Sequence, residues 1–197
     1  YVTILQDGKQ YRMYYRGGGD LRREYTCVAF SNDAIHWTRP NLSLIEFEGS
    51  KNNNIIWTGP RKAYHESHNF SPFKDPNPAA KPDEAWKAVS SSRIDIGGGN
   101  KKNVLLGFVS ADGIHWRHIR KEPIITEGAF DSQNVAFWDV VQKQYVCYSR
   151  QAQQGKRSIN RCTSKDFLTW SNPVLLNFGN SPIEQFYTNA IVPYFRQ

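Results

Sequence analysis

Ser110-Ala111-Asp112-Gly113-Ile114-His115-Trp116 decides how this chain folds. The same Ser-x-Asp-x-x-x-Trp pattern stands at Ser31-Asn32-Asp33-Ala34-Ile35-His36-Trp37 and at Ser164-Lys165-Asp166-Phe167-Leu168-Thr169-Trp170. Each copy follows a run of β-branched, aromatic and small apolar residues and so closes a strand. The aspartate suits a turn that it ties with its own carboxylate. His36 and His115 belong to this repeat and are structural by default.

Working outward, each copy is the third of four strand signals. The first unit reads as strands over Tyr1–Leu5, Tyr11–Arg16, Tyr25–Phe30 and Leu44–Phe47, with Asp7-Gly8 as a hairpin turn. The second reads as Asn69–Phe73, Ala85–Ser90, Val104–Val109 and Pro123–Thr126. The third begins at Asn134 and continues through Tyr145–Arg150, Arg157–Thr163 and Val174–Phe178. Gly17-Gly18-Gly19-Asp20 and Gly97-Gly98-Gly99-Asn100 are matching loops. Trp37, Trp116 and Trp170 stand 79 and 54 residues apart. The longer gap holds the Gly49–Ser67 connection, with Ile55-Ile56-Trp57 inside it, and a Pro-rich turn over Lys74–Glu84. Four strands per unit at this period predict an all-β chain, a β-propeller of four-stranded antiparallel blades. The units span residues 1–50, 66–127 and 131–180, with a partial fourth over 184–197. Three blades and a stub do not close a ring of four to eight blades, so the sequence reads as a fragment of a larger propeller.

Bulk properties agree. The chain has 197 residues, 14% aromatic, with 14 glycines and 10 prolines spread as punctuation. No apolar run is long enough for a membrane span. A leader ahead of Tyr1 would make the protein secreted or periplasmic. The net charge of +7 comes from 25 Lys and Arg against 18 Asp and Glu. Basic residues are scattered, with small groups at Arg22-Arg23, Lys101-Lys102 and Arg117–Lys121, so they read as a solvated surface and not as a nucleic-acid patch. The sharper alternative is attraction to an anionic glycan. Cys27, Cys147 and Cys162 show no Cys-x-x-Cys spacing, and no His pair has metal-ligand spacing, so neither metal nor cofactor is expected. Cys147 and Cys162 fall on neighbouring strands and read as buried thiols. The glycine triplets match neither phosphate-loop nor dinucleotide-binding patterns.

In a propeller the first strand of each blade lines the axis. Three segments with polar heads precede such strands: His68-Asn69-Phe70-Ser71-Pro72-Phe73, Phe130-Asp131-Ser132-Gln133-Asn134 and Glu184-Gln185-Phe186-Tyr187-Thr188-Asn189. Lined up on Asn69, Asn134 and Asn189, they bring Glu66, His68, Asn69, Asp131, Gln133, Asn134, Glu184, Tyr187 and Asn189 to one depression. Carboxylates beside amides and an aromatic suit sugar chemistry, where one acid protonates the leaving oxygen and another serves as base, nucleophile or charge stabiliser.

These motifs, with the three turns, resemble the five-bladed propeller glycoside hydrolases, the invertase-like and arabinanase-like enzymes of families 32 and 43 and their relatives. The blade pattern covers the whole chain. The resemblance implies a carbohydrate substrate and three acids on successive blades. It places the stabiliser or base on Asp131 and the general acid on Glu184, with Glu66, His68, Asn69, Gln133, Asn134, Tyr187 and Asn189 binding substrate. The third acid is either Glu66 or a residue ahead of Tyr1. The invertase-like Trp-Met-Asn-Asp-Pro-Asn-Gly motif is absent. Phe73-Lys74-Asp75-Pro76 is similar to the Arg-Asp-Pro motif, but Lys replaces Arg and the motif lies at the far end of its strand, so Asp75 reads as a turn residue. A non-catalytic glycan- or protein-binding propeller is the rival expectation.

Overall fold

The computed structural model describes residues 1–18, 24–59 and 66–194. Gly19-Asp20, Arg22-Arg23, part of the Gly49–Ser67 connection and the last three residues lie outside them. Among the described residues, twelve strands form three antiparallel sheets of four. Blade 1 is β1 (Val2–Asp7), β2 (Gln10–Gly18), β3 (Glu24–Ser31) and β4 (Ile55–Trp57). Blade 2 is β5 (Ser71–Lys74), β6 (Trp86–Asp95), β7 (Lys101–Ser110) and β8 (Arg117–His118). Blade 3 is β9 (Val135–Asp139), β10 (Gln144–Gln153), β11 (Lys156–Ser164) and β12 (Val174–Leu175). Within each sheet the strands pair in chain order, the meander expected of a propeller blade.

The repeated turn has one geometry in all three blades. The serine hydroxyl donates to the aspartate at 2.9, 3.0 and 2.9 Å. That carboxylate accepts the amides of Ile35 and His36, of Ile114 and His115, and of Leu168 and Thr169. His36 and His115 each place Nδ1 2.7 Å from the second carboxylate oxygen of their own turn, as expected of structural histidines. The residue after the aspartate takes a left-handed backbone: Ala34 at φ 62°, Gly113 at 76° and Phe167 at 64°. Trp116 and Trp170 donate their indole N–H to the carbonyl three residues back.

Strand alternation assigns the faces. In the middle blade, Trp86, Ala88, Val104, Leu106 and Phe108 face blade 1 and meet Tyr14, Val28 and Ile56. Val89 and Leu105 face blade 3, where Phe130, Trp138, Tyr145 and Phe167 complete the seam. Both faces of blade 2 are therefore buried, and β6 and β7 each carry a continuous buried run. Each large side chain so buried contributes roughly 1.5–3 kcal/mol.

The fourth strands depart from expectation. Each is broken in two. A first piece lies at or just after the turn tryptophan: Thr38 bridging Phe30, Arg117–His118, and Trp170 itself bridging Ser164. A second piece comes later: Ile55–Trp57, Ile125 bridging Leu105, and Val174–Leu175. Leu44–Phe47 is not the fourth strand of blade 1, which extends to Trp57. Instead Ile45 and Phe47 pack on Tyr25, Cys27 and Ile55 and cover the outer face of that blade. Gly17 and Gly18 belong to β2 and not to a loop. Residues 184–194 form no strand. Cys147 and Cys162 are direct cross-strand partners, and all three cysteines are buried free thiols. Burial raises Cys27 and Cys162 to about 11.

Candidate functional site

The ladders set which residues are equivalent. Tyr11, Trp86 and Tyr145 each pair with the serine of their blade's turn. Three residues further along, Thr3, Ser71 and Val135 pair with Tyr14, Val89 and Tyr148. Asn134 is thus the counterpart of Phe70, and Gln133 that of Asn69. The alignment of Asn69 on Asn134 is out by one rung. The same count makes Asp7, Asp75 and Asp139 equivalent, an aspartate closing every inner strand, with Arg12 and Lys87 as matching bases on β2 and β6.

That equivalence settles Asp75. It lies at the opposite end of β5 from Asn69, buried in an ion pair with Lys87 at 2.8 Å and accepting the Tyr145 hydroxyl at 2.6 Å. It clasps blade 2 to blade 3. At the other seam Asp7 takes both Arg12 (2.5 Å) and Lys74 (2.5 Å), while Arg12 also donates to the Asp112 carbonyl.

At the other end of the inner strands, the predicted site residues separate into three groups. Asn69 and Asn134 are buried and committed to the backbone. Both amides donate to the Phe130 and Ser132 carbonyls, and Asn69 Oδ1 accepts the Ser91 amide at 3.1 Å. They brace the site from below and do not face solvent. Glu66 is also buried, and its carboxylate accepts from Trp57 Nε1 (3.2 Å) on β4 and pairs with His118 Nε2 (3.1 Å) on β8. Those are the outermost strands, so the Glu66 carboxylate is engaged toward the perimeter, and of the two expected places for the third acid the one ahead of Tyr1 is left the more open. The spacing of Glu66 from Asn69 imitated that of Asp131 from Asn134, but the rung count breaks the parallel.

The second group surrounds His68. Its Nδ1 lies 2.9 Å from Glu24, whose carboxylate also pairs with Arg16 at 3.1 Å. Tyr1 meets the His68 ring edge-on at 6.1 Å. Tyr1, Arg16, His68 and Asn69 help line a narrow cleft.

The third group surrounds Asp131, whose side chain is 58% exposed and ion-paired to Arg150 at 2.7 Å, although Arg150 is only 5% exposed. Arg150 also donates to the Tyr187 carbonyl, and its guanidinium lies 4.6 Å from the Tyr187 ring centre, with Arg157 at 5.1 Å. Asn189 donates to the Gln133 carbonyl at 3.2 Å. Arg150 Nε, Ser132 Oγ, Asn134 Oδ1 and Asn189 Oδ1 are buried without a partner among the described residues. Core packing alone does not explain such a concentration. Glu184 is exposed, and its side chain makes no hydrogen bond or ion pair among the described residues. The flanking chain is fixed by Gln185 and Phe186 on Arg157 (3.0 Å each) and by Phe186 stacked on Phe178 at 4.3 Å.

Charged groups of the second and third groups both act on Tyr1. Burial raises the Tyr1 phenol above its ordinary value, and the charges acting on it include Tyr187, Arg150 and Asp131 of the third group as well as Arg16 of the second. Arg16, Glu24 and Arg150 were missed in the sequence. A signal existed, since Tyr11–Arg16 and Tyr145–Arg150 match and place an arginine on the same rung. Among the described residues, no three His, Cys, Asp or Glu side chains gather as a metal cluster, and no helix is long and apolar enough to cross a membrane.

No family model and no curated protein matches the chain. Solved structures do. A GH32 β-fructofuranosidase from Bombyx mori superposes with a TM-score of 0.57 at 11% identity, over 86% of this chain and 32% of that one. A fructofuranosidase from Schwanniomyces occidentalis complexed with fructosylnystose gives 0.58 at 18% identity, over 87% and 32%. An N-acetylgalactosamine deacetylase from F. plautii, in complex with blood group B trisaccharide, gives 0.50 at 17% identity, over 86% and 50%. The chain forms blades of a β-propeller. It spans about a third of the length of the two fructofuranosidases, and at these identities the likeness shows the fold.

Proposed function

We propose that this chain carries the acidic face of a glycoside hydrolase, with Asp131 and Glu184 as its two working carboxylates. The observation that carries the reading is Asp131 itself. It is a solvent-facing carboxylate fixed by a buried guanidinium, beside an exposed tyrosine, at the mouth of a propeller blade. Asp131 then stabilises positive charge at the anomeric carbon or acts there as base or nucleophile. Glu184, on an anchored segment with its side chain unengaged among the described residues, protonates the leaving oxygen. Tyr187 offers a ring face to the apolar face of a sugar, and His68 and Gln133 orient hydroxyls. Resemblance to carbohydrate-active propellers of known structure supports the substrate class.

The test is hydrolysis of aryl glycosides and of plant and algal polysaccharides by the full-length protein and its Asp131→Asn and Glu184→Gln variants. Each substitution lowers kcat at least ~10²-fold with the melting temperature unchanged, the usual scale for losing an acid or base. A binding propeller is the second reading. It is favoured by Glu66 facing the perimeter and by Glu24 being committed to Arg16 and His68, which leave few free acids at the axis. Binding without turnover, indifferent to both substitutions, would establish it.

A further inference from the structure

We infer that Arg150 is a positioning residue that holds Asp131 and Tyr187 in one fixed relation; the inference rests on the reading of Asp131 as a working carboxylate. Neither residue belongs to a strand. Asp131 follows Phe130, whose backbone is left-handed at φ 53°, and Tyr187 lies beyond the last strand. Arg150, by contrast, sits inside β10, paired to Ile159 of β11. Its guanidinium is a rigid planar fork. One arm takes Asp131 Oδ1, the other the Tyr187 carbonyl, and the flat face lies by the Tyr187 ring. The order of a central strand is thereby passed to two residues that no ladder holds.

Stability does not account for this arrangement. A buried guanidinium is costly to desolvate, and an ion pair with a largely exposed carboxylate returns little. An apolar residue at this rung would serve packing better. The rung also repeats the device. Arg16 occupies it in blade 1 and contacts Glu24 (3.1 Å) and His68 (2.8 Å). Blade 2 has Ser91 there, and its nearby acid, Glu66, is turned to the perimeter. Arginine stands at the rung in the two blades where it pairs with an acid near the mouth.

Lysine keeps the charge but offers a single point, so it cannot engage both partners with fixed geometry. In the full-length protein, Arg150→Lys is expected to keep its melting temperature within a few degrees and to lose about 10- to 100-fold in kcat, with a smaller change in KM, the scale of an ångström of misplacement. Combined with Asp131→Asn it adds nothing further, because the arginine acts through that carboxylate. A readout independent of turnover is the 19F spectrum of 3-fluorotyrosine-labelled protein, with the Tyr187 signal assigned by its loss in Tyr187→Phe. That signal shifts or broadens in Arg150→Lys. An unchanged Tyr187 signal overturns the inference, and so does an Arg150→Lys loss that adds in full to that of Asp131→Asn. If Asp131→Asn is fully active while the Tyr187 signal moves, the hydrolase reading fails and the clamp stands. If Asp131→Asn is inactive and Arg150→Lys is indistinguishable from wild type, the clamp fails and the hydrolase reading stands.

Discussion

Gly113 occupies the left-handed position of the blade 2 turn, and a Cβ there would stand 2.7 Å from the Tyr14 hydroxyl and 2.9 Å from Arg12 Nη1. Ala34 and Phe167 hold the same backbone in the other turns. Left-handed geometry alone therefore does not demand glycine here; the close approach of blade 1 does. Gly113→Ala is expected to lose about 1–3 kcal/mol of unfolding free energy by overpacking, read from urea titration, and a wild-type midpoint would show that the seam can yield. Phe167 illustrates the opposite balance. Left-handed backbone costs a bulky residue roughly 1–2 kcal/mol, but the ring is fully buried against Phe73, Tyr145 and Trp170. At this scale the sequence was partly legible. Asp131 and Tyr187 meet at Arg150, and His68 meets Glu24 and Arg16. Asn69 and Asn134 face the backbone, because an amide can replace a missing ladder partner, and residue type does not say whether it will.

The repeated turn is the element that made the fold readable, since each copy fixes a rung and a third strand by local chemistry alone. That chemistry is acid-sensitive. Burial pushes the Asp112 carboxyl up, but hydrogen bonds from His115, Ile114 and Ser110 outweigh it and hold the group well below its usual range. For Asp33 the bond from the His36 side chain leads, followed by backbone amides, with the same net direction. Asp166 is also lowered, backbone amides and the Ser164 hydroxyl overcoming burial. A carboxyl depressed in the folded state stabilises above its unfolded value and loses that contribution as pH falls through its folded one. Melting temperature should therefore fall as pH drops below the ordinary value of 3.8, and more shallowly in Asp112→Asn. Parallel curves for the two proteins would remove the turns from the acid response. His36 acts in the other direction: its value is raised above 6.5 by Asp33, so its contribution is complete below that pH and is lost on rising through the raised value. Fourth strands were the least legible elements. They are short and split, and the more strand-like Leu44–Phe47 is apolar because it covers a sheet face.

For the whole molecule, the seams between blades decide cohesion, and each combines an apolar sheet contact with a polar clasp at the far end. The Asp75–Lys87 clasp is buried on both sides. Asp75→Asn leaves an ammonium opposite a neutral amide and should cost about 3–5 kcal/mol, whereas adding Lys87→Met should recover most of it. Equal denaturation midpoints for wild type and Asp75→Asn would place the cohesion in the apolar seam alone. Blade number and order were legible because the repeat is local. Which acid faces the axis was not, because that depends on how a connection crosses from the perimeter of one blade to the centre of the next, as at Glu66. The perimeter has a consequence of its own. Its strands β4, β8 and β12 are 3, 2 and 2 residues long. A neighbouring chain seeking to add itself to a sheet needs a row of free amides and carbonyls, and these rims offer almost none. Protein stored at high concentration is thereby guarded at its outer edges against the strand-to-strand stacking that seeds fibrils.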